Sequence, residues 1–296
     1  MNIKSFFLSL LVVFIWGVNF SIIKFGLEEL PPLLFSALRF FIVAIPAVFF
    51  IPFPKTSIWN VLGVGVFLGV LKFGFLFVAM KSDASAGISS LLLQVQVLFT
   101  IFLGILIYKE KISLSQIIGI GISFVGFSLF FTTVNANITS LGLFLILCAG
   151  FFWSISNIIM KRIKDVNLLH FMVWVCLVPP LPLLILSYYF ESQNIIEILV
   201  SSTEKTWFSL IYVGYISTLL AFAIWGWLLK NFQTSVVTPF ALLIPVIGLI
   251  CSNILLDENL TKSEFIGTFF ILFGLFIIVF SKRINQIVKS KVLTKK

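Results

Sequence analysis

The chain has 296 residues, of which 60% belong to the apolar set Ala, Val, Ile, Leu, Met, Phe, Trp, Tyr and Cys and 10% are charged, against roughly 45–50% and 25% in an average soluble domain. That composition excludes a soluble globular domain and reads as a membrane protein. The net charge of +9 would suit nucleic acid, so its placement along the chain has to decide.

Ten apolar stretches approach the ~20 residues needed to cross a hydrocarbon core about 30 Å thick: 5–24, 32–52, 58–80, 85–107, 113–132, 139–160, 168–190, 206–229, 235–256 and 263–281. The first runs through "WGVNFSIIK" without a small-residue cleavage site and reads as a permanent span carrying Trp16 and Asn19. The second opens "PPLLFSALRFF" and sets Arg39 one to two turns inside. The third holds Lys72, roughly 4–5 Å from the midplane at 1.5 Å rise per residue. Gln94 and Gln96 lie at the middle of the fourth, and Trp153 and Asn157 in the sixth. Pro179, Pro180 and Pro182 break the seventh, and Pro245 the ninth. Cys148, Cys176 and Cys251 all fall inside spans, where a thiol behaves as a small apolar group. No metal-binding or disulfide pattern is present in the sequence.

Of the twenty Lys and Arg residues, Lys24, Lys81, Lys205 and Lys262 fall on one side, Arg39 and Lys72 within spans, and the remaining fourteen on the other. That asymmetry is the positive-inside pattern and places both termini in the cytoplasm, in a cell inner (plasma) membrane. The basic tail, 284–296, is then an orientation signal against anionic lipid. The partners expected are a small-molecule substrate and the bilayer, with no nucleic acid; a homodimer is left open.

Two pairs of segments match internally. "WGVNFSIIK" (16–24) aligns with "WSISNIIMK" (153–161), and "VLFTIFLGILIYKEKISLSQIIGIGISFVG" (97–126) with "PVIGLICSNILLDENLTKSEFIGTFFILFG" (245–274), the second at a constant shift of 148. The expected fold is all-α integral membrane, ten transmembrane helices as two five-helix repeats, 1–134 and 138–283. An odd number of spans per repeat inverts the second copy, a known way to build a carrier around a midplane site. Gly119 and Gly126, like Gly267 and Gly274, lie seven residues apart on one face and are expected to let helices approach closely.

The "WGVNF" of span 1, the "PPLLFSALRFF" of span 2, the "KE" and "DE" closing spans 4 and 9, and "LIPVIGL" in span 9 resemble the drug/metabolite transporter superfamily, specifically its ten-helix EamA branch. "LLLQVQVLFTIFLG" resembles that branch's O-acetylserine/cysteine exporters. The resemblance covers residues 5 to 283 and implies a secondary exporter of small amino-acid metabolites working by alternating access, with no cofactor. It departs from the family at Lys72, where a neutral polar residue is expected. Other metabolites are the alternative within transport, such as S-adenosylmethionine or nucleotide-derived solutes, and a midplane lysine counts against cations.

A lysine near the bilayer centre costs about 2.5–3.5 kcal/mol on insertion scales, so Lys72 should face a wet cavity or a partner. Its stem, ~6 Å long, is too short to snorkel clear easily. None of the eleven acids lies at mid-membrane depth, so no protein carboxylate is available to it, and a substrate α-carboxylate is the expected counter-charge. Gln94 and Gln96 are two residues apart, about 200° around a helix, so at most one lines the cavity. One is expected to bind substrate and the other to bond a neighbouring helix. Trp16, Trp153, Asn19 and Asn157 complete the expected substrate-binding set. Arg39, Pro179, Pro180 and Pro245 are the expected gating or hinge residues, with Arg39 either gating or snorkelling to Glu28 or Glu29. Trp225 and Trp227 are expected as interfacial anchors. An integral-membrane transferase is disfavoured because the sole histidine, His170, and scattered acids form no general-base or metal constellation; no ATP-binding motif occurs. No enzyme activity is expected, and a channel is disfavoured by the repeat.

Overall fold

The computed structural model describes residues 2–132 and 137–293; the end of the first expected repeat and most of the expected link between the repeats, at 133–136, and the last three residues of the expected basic tail lie outside them. Helix starts are marked by side chains that replace the missing helical acceptor. α1 (Ile3–Glu29) follows Asn2, whose side chain accepts from the Ser5 amide, and α2 (Pro32–Phe50) opens on a proline, whose absent N–H costs nothing there. α3 (Ile58–Ser82) follows Ser57, α4 (Ala86–Tyr108) follows Ser85, and α5 (Leu114–Phe130) opens on a Ser113–Gln116 capping box. Thr139 caps α6 (Ser140–Lys161) and Asn167 caps α7 (Leu168–Phe190). α8 (Glu204–Asn231), α9 (Thr238–Leu256) and α10 (Lys262–Leu293) complete the bundle.

Among the described residues ten long helices stand where ten spans are expected, besides shorter ones such as Ile195–Ser201. Among the described residues nine are long and apolar enough to cross a membrane, and α5 is a shorter apolar helix of 17 residues. Large apolar side chains face outward: Phe50, Phe124 and Phe269 are 83%, 66% and 60% exposed. A surface of that kind is stable only against lipid, so the chain is a multi-pass membrane protein.

The two halves repeat in backbone detail. α3 loosens into a π-helical segment at Gly65–Lys72 and α8 into another at Tyr212–Leu220. α4 is interrupted by a turn at Leu93–Gln94, and α9 starts as a 3₁₀ turn, Thr238–Leu242, before its α-helical part at Leu243. α4 ends on Lys109 at φ 52° and α9 on Asp257 at φ 54°, each amide bonding the carbonyl five residues back, Gly104 or Ser252. These last pairs are all 148 residues apart. The packing obeys the same exchange. α1 packs on α8 and α9 as α6 packs on α3 and α4, while α2–α7, α4–α9 and α5–α10 pair across the halves.

Glycine sets the α5–α10 contact, as expected. A Cβ on Gly126 would sit 2.7 Å from the Gly267 carbonyl, and one on Gly119 2.7 Å from the Gly274 carbonyl. Close approach also joins α3 to α7, where a Cβ on Gly69 would strike the Pro179 ring. Pro179 and Pro180 stand where α7 is broken, between Cys176 and Pro180. In α9 Pro245 is buried just after the 3₁₀ turn, and the Leu243 amide reaches the Phe240 and Ala241 carbonyls, so the carbonyl that Pro245 cannot serve is engaged. A further kink, not singled out from the sequence, lies at Ile45 (φ −91°, ψ 53°) before Pro46.

Trp225 departs from expectation. It is 8% exposed and packs edge-on against Trp16 at 5.3 Å, so it is a core aromatic and not an interfacial anchor; Trp227, 46% exposed, keeps an outward position. Apolar periodicity alone does not tell which face of α8 meets α1.

Candidate functional site

Lys72 ends the π-helical segment of α3 and is only 5% exposed. Its Nζ lies 3.3 Å from the centroid of the Phe73 ring and 4.7 Å from that of Trp153. The negative ring faces return part of the solvation lost on burial. No hydrogen bond or ion pair holds this ammonium among the described residues.

Trp153 and Asn157 are one turn apart on α6 and share a face. Asn157 Nδ2 donates to Gln96 Oε1 at 2.7 Å and to Thr100 Oγ1 at 3.2 Å. α3, α6 and α4 thus bring together Lys72, Trp153, Asn157 and Gln96, with Thr100 one turn beyond Gln96. The amide pair divides as the helical angle requires. Gln96 is committed to the bond between α4 and α6, while Gln94, half-buried at the break in α4, has a side-chain amide without a hydrogen-bond partner. Asn157→Ala is expected to leave Gln96 Oε1 without its short bond and to lower stability by about 1–3 kcal/mol, checked by thermal unfolding in detergent. Gln94→Ala is expected to leave the unfolding midpoint unchanged.

Arg39 does not reach Glu28 or Glu29. Glu28 pairs with Lys205 at 2.7 Å, and Glu29 accepts from Thr203 and Thr206. Arg39 instead is 4% exposed, and its Nη2 donates to Thr218 Oγ1 at 3.1 Å. The guanidinium sits over the rings of Phe73, Phe40 and Phe77, at 4.1, 4.7 and 5.7 Å. Its Nε and Nη1 are buried with no acceptor. The snorkelling alternative fails because the guanidinium faces inward, onto aromatic rings of α2 and α3 and the Thr218 hydroxyl of α8.

Trp16 and Asn19 line a different place. Trp16 Nε1 donates to the Ser217 carbonyl at 2.9 Å, in the π-helical segment of α8, and its ring packs against Phe222 and Trp225. Trp16 and Trp153 therefore hold equivalent positions, each leaning on the π-helical segment of the opposite half, but they belong to separate aromatic groups. Asn19 is 8% exposed, and its Oδ1 has no partner.

The two ends of the bundle differ. At one end Glu258 accepts from the Ala86 and Gly87 amides at 2.8 and 3.0 Å, so it caps α4 beneath Lys24, which donates to the Met80 and Ala84 carbonyls. At the other end its counterpart Glu110 forms an ion pair with Lys161, the counterpart of Lys24. Like the twin glycines, these positions follow the repeat, although their contacts differ; Thr218, Thr100 and Phe73 were not read from the sequence. The four-residue spacing of Gln96 and Thr100 is the one signal that pointed to any of them.

A model of the EamA-like transporter family matches the chain twice, over residues 3–132 and 140–280. A protein of Salmonella typhimurium described as a probable amino-acid metabolite efflux pump is 39% identical over 293 residues, covering 97% of this chain and 98% of that one. A protein of Escherichia coli with the same description is 38% identical over 296 residues, covering 98% and 99%. An uncharacterized transporter of Bacillus subtilis is 29% identical over 290 residues, covering 91% and 94%. A crystal structure of another protein superposes with a TM-score of 0.62 at 16% identity, covering 94% of this chain and 96% of the other, a likeness of fold.

Proposed function

Because the chain belongs to the EamA-like transporter family, within the drug/metabolite transporter superfamily, we propose that it exports small amino-acid metabolites of the O-acetylserine and cysteine type by alternating access across the inner membrane. Both termini lie in the cytoplasm, which makes the Glu258 end external and the Glu110 end internal. The observation that carries this reading is the Lys72 ammonium, held at mid-depth by two aromatic faces and lacking a carboxylate. A substrate carboxylate meets that need, and the free amide of Gln94 offers both a donor and an acceptor to the rest of a small polar solute. Cationic solutes such as S-adenosylmethionine fit this place poorly because Lys72 repels them. The names of the two enteric relatives point the same way.

The repeat supports the alternation. Two halves with equivalent π-helical segments and equivalent helix breaks can exchange shapes around one site. In this structure the external carboxylate caps α4 while its internal counterpart is paired with lysine. The opposite state has these roles exchanged. Glu258→Ala is expected to free the Ala86 and Gly87 amides, removing charge-assisted bonds worth about 1.5–3 kcal/mol each, and to open the external end. A cysteine placed at Ser85 is then alkylated by maleimide about tenfold faster than in the parent, since 1.4 kcal/mol already shifts a population tenfold; equal rates would remove the latch.

The test of the transport reading is uptake of labelled cysteine and O-acetylserine by proteoliposomes holding the purified protein. Saturable uptake supports a carrier, and flux that grows linearly with concentration supports a channel.

A further inference from the structure

Arg39 and Lys72 share one aromatic ring. The Arg39 Cζ is 4.1 Å from the Phe73 centroid and the Lys72 Nζ 3.3 Å, so the two cationic centres are at most about 7.4 Å apart, the two distances laid end to end. Both side chains are more than nine-tenths buried. Neither has a carboxylate partner among the described residues. Two of the three guanidinium nitrogens, Nε and Nη1, point into the protein with nothing to accept from them. Leaving one buried charge uncompensated is costly, and leaving two that repel each other is more so.

We propose that Arg39 and Lys72 form a two-cation anion site at the centre of the bundle, and that its preferred ligands are net-anionic amino-acid derivatives, N-acylated amino acids above all. The proposal rests on the transport reading of the same site and narrows it. A carboxylate between the two centres contacts both at once, in the planar geometry that guanidinium matches. A free α-ammonium sits next to that carboxylate and is repelled by both cations. Acylation removes this charge and adds a carbonyl acceptor for the free nitrogens of Arg39 or for the Gln94 amide. Thr218, from the opposite half, fixes the guanidinium through Nη2, so the site is assembled from both repeats.

The test uses the full-length protein in proteoliposomes, with labelled L-cysteine and labelled N-acetyl-L-cysteine under reducing conditions, and unlabelled cysteine, N-acetylcysteine and cysteamine as competitors. The expected result is half-inhibition by N-acetylcysteine at a concentration about tenfold below that for cysteine, with cysteamine, a cation lacking the carboxylate, ineffective. Arg39→Gln is expected to raise the N-acetylcysteine value by about tenfold and close the gap. Equal or weaker inhibition by N-acetylcysteine in the parent protein overturns the proposal even if Arg39→Gln does not fold, and leaves the cysteine carrier standing. Uptake of N-acetylcysteine without uptake of cysteine supports the anion site and removes the zwitterion reading. Uptake of neither overturns both.

Discussion

Lys72→Gln is expected to lose about a hundredfold in kcat/KM for a transported amino-acid metabolite while the protein stays folded. Removing one partner of a desolvated charge pair typically costs about 3–5 kcal/mol, which corresponds to 10² or more in a rate that depends on binding. The direction of the stability change separates a binding role from a structural one. Without substrate Lys72 is a buried cation with two rings and no acid, so a neutral amide in its place relieves a desolvation penalty. The unfolding midpoint of the unliganded variant should equal or exceed that of the parent. Added substrate should raise the midpoint of the parent and not of the variant, because only a state that binds is stabilised by ligand. Unchanged affinity in Lys72→Gln would take Lys72 out of the site; a lower midpoint in the absence of substrate would make it structural.

The largest effect on folding is expected at the glycine contact between α5 and α10. A Cβ at position 126 meets the Gly267 carbonyl and the Ile271 amide, both at 2.7 Å, and these are backbone atoms that cannot rotate away. Gly126→Val therefore has to push the two helices apart, losing packing along their length. Overpacking of this kind costs about 1–3 kcal/mol. In a membrane, association rests on close van der Waals fit and not on hydrophobic drive, so little is available to offset the loss. Thermal unfolding followed by size-exclusion recovery reads the result. Gly121, on the same helix, has nothing within 4 Å of its Cβ position, and Gly121→Val is the control that should behave as the parent. Equal damage from the two would mean that the helix itself, and not the contact, is at fault.

Much of the architecture was legible because the bilayer imposes few solutions. An apolar run of about twenty residues must be helical, since any other backbone leaves unpaired amides in hydrocarbon, and ten such runs yielded ten helices. The recurrence at 148 residues was visible in glycines and a charged loop, and the same spacing reappears in left-handed caps at Lys109 and Asp257. The π-helical segments of α3 and α8 were not legible. They are ordinary apolar sequence, and the wider turn forms where the helix meets the opposite half, with Gly65 and Gly69 admitting Val178 and Pro179.

The site was legible as a set of residue types and not as an arrangement. A lysine and an arginine inside spans stood out by their cost, and the absence of acids at their depth was plain from the sequence. Which amide is free was not. Gln94 sits in the α4 break and Gln96 just past it, and it is Asn157, 61 residues from Gln96, that engages Gln96 and leaves Gln94 free. Arg39 lay within reach of Glu28 and Glu29 along the chain, yet those acids are held by Lys205, Thr203 and Thr206.

By itself, then, the sequence determined that this protein crosses a membrane ten times as two related halves, because burial in lipid is a local property of each run. Only the tertiary structure decided that Lys72 and Arg39 share the ring of Phe73 and that the tryptophans divide between two π-helical segments. Those contacts join helices distant in the chain, and no local preference encodes which faces will meet.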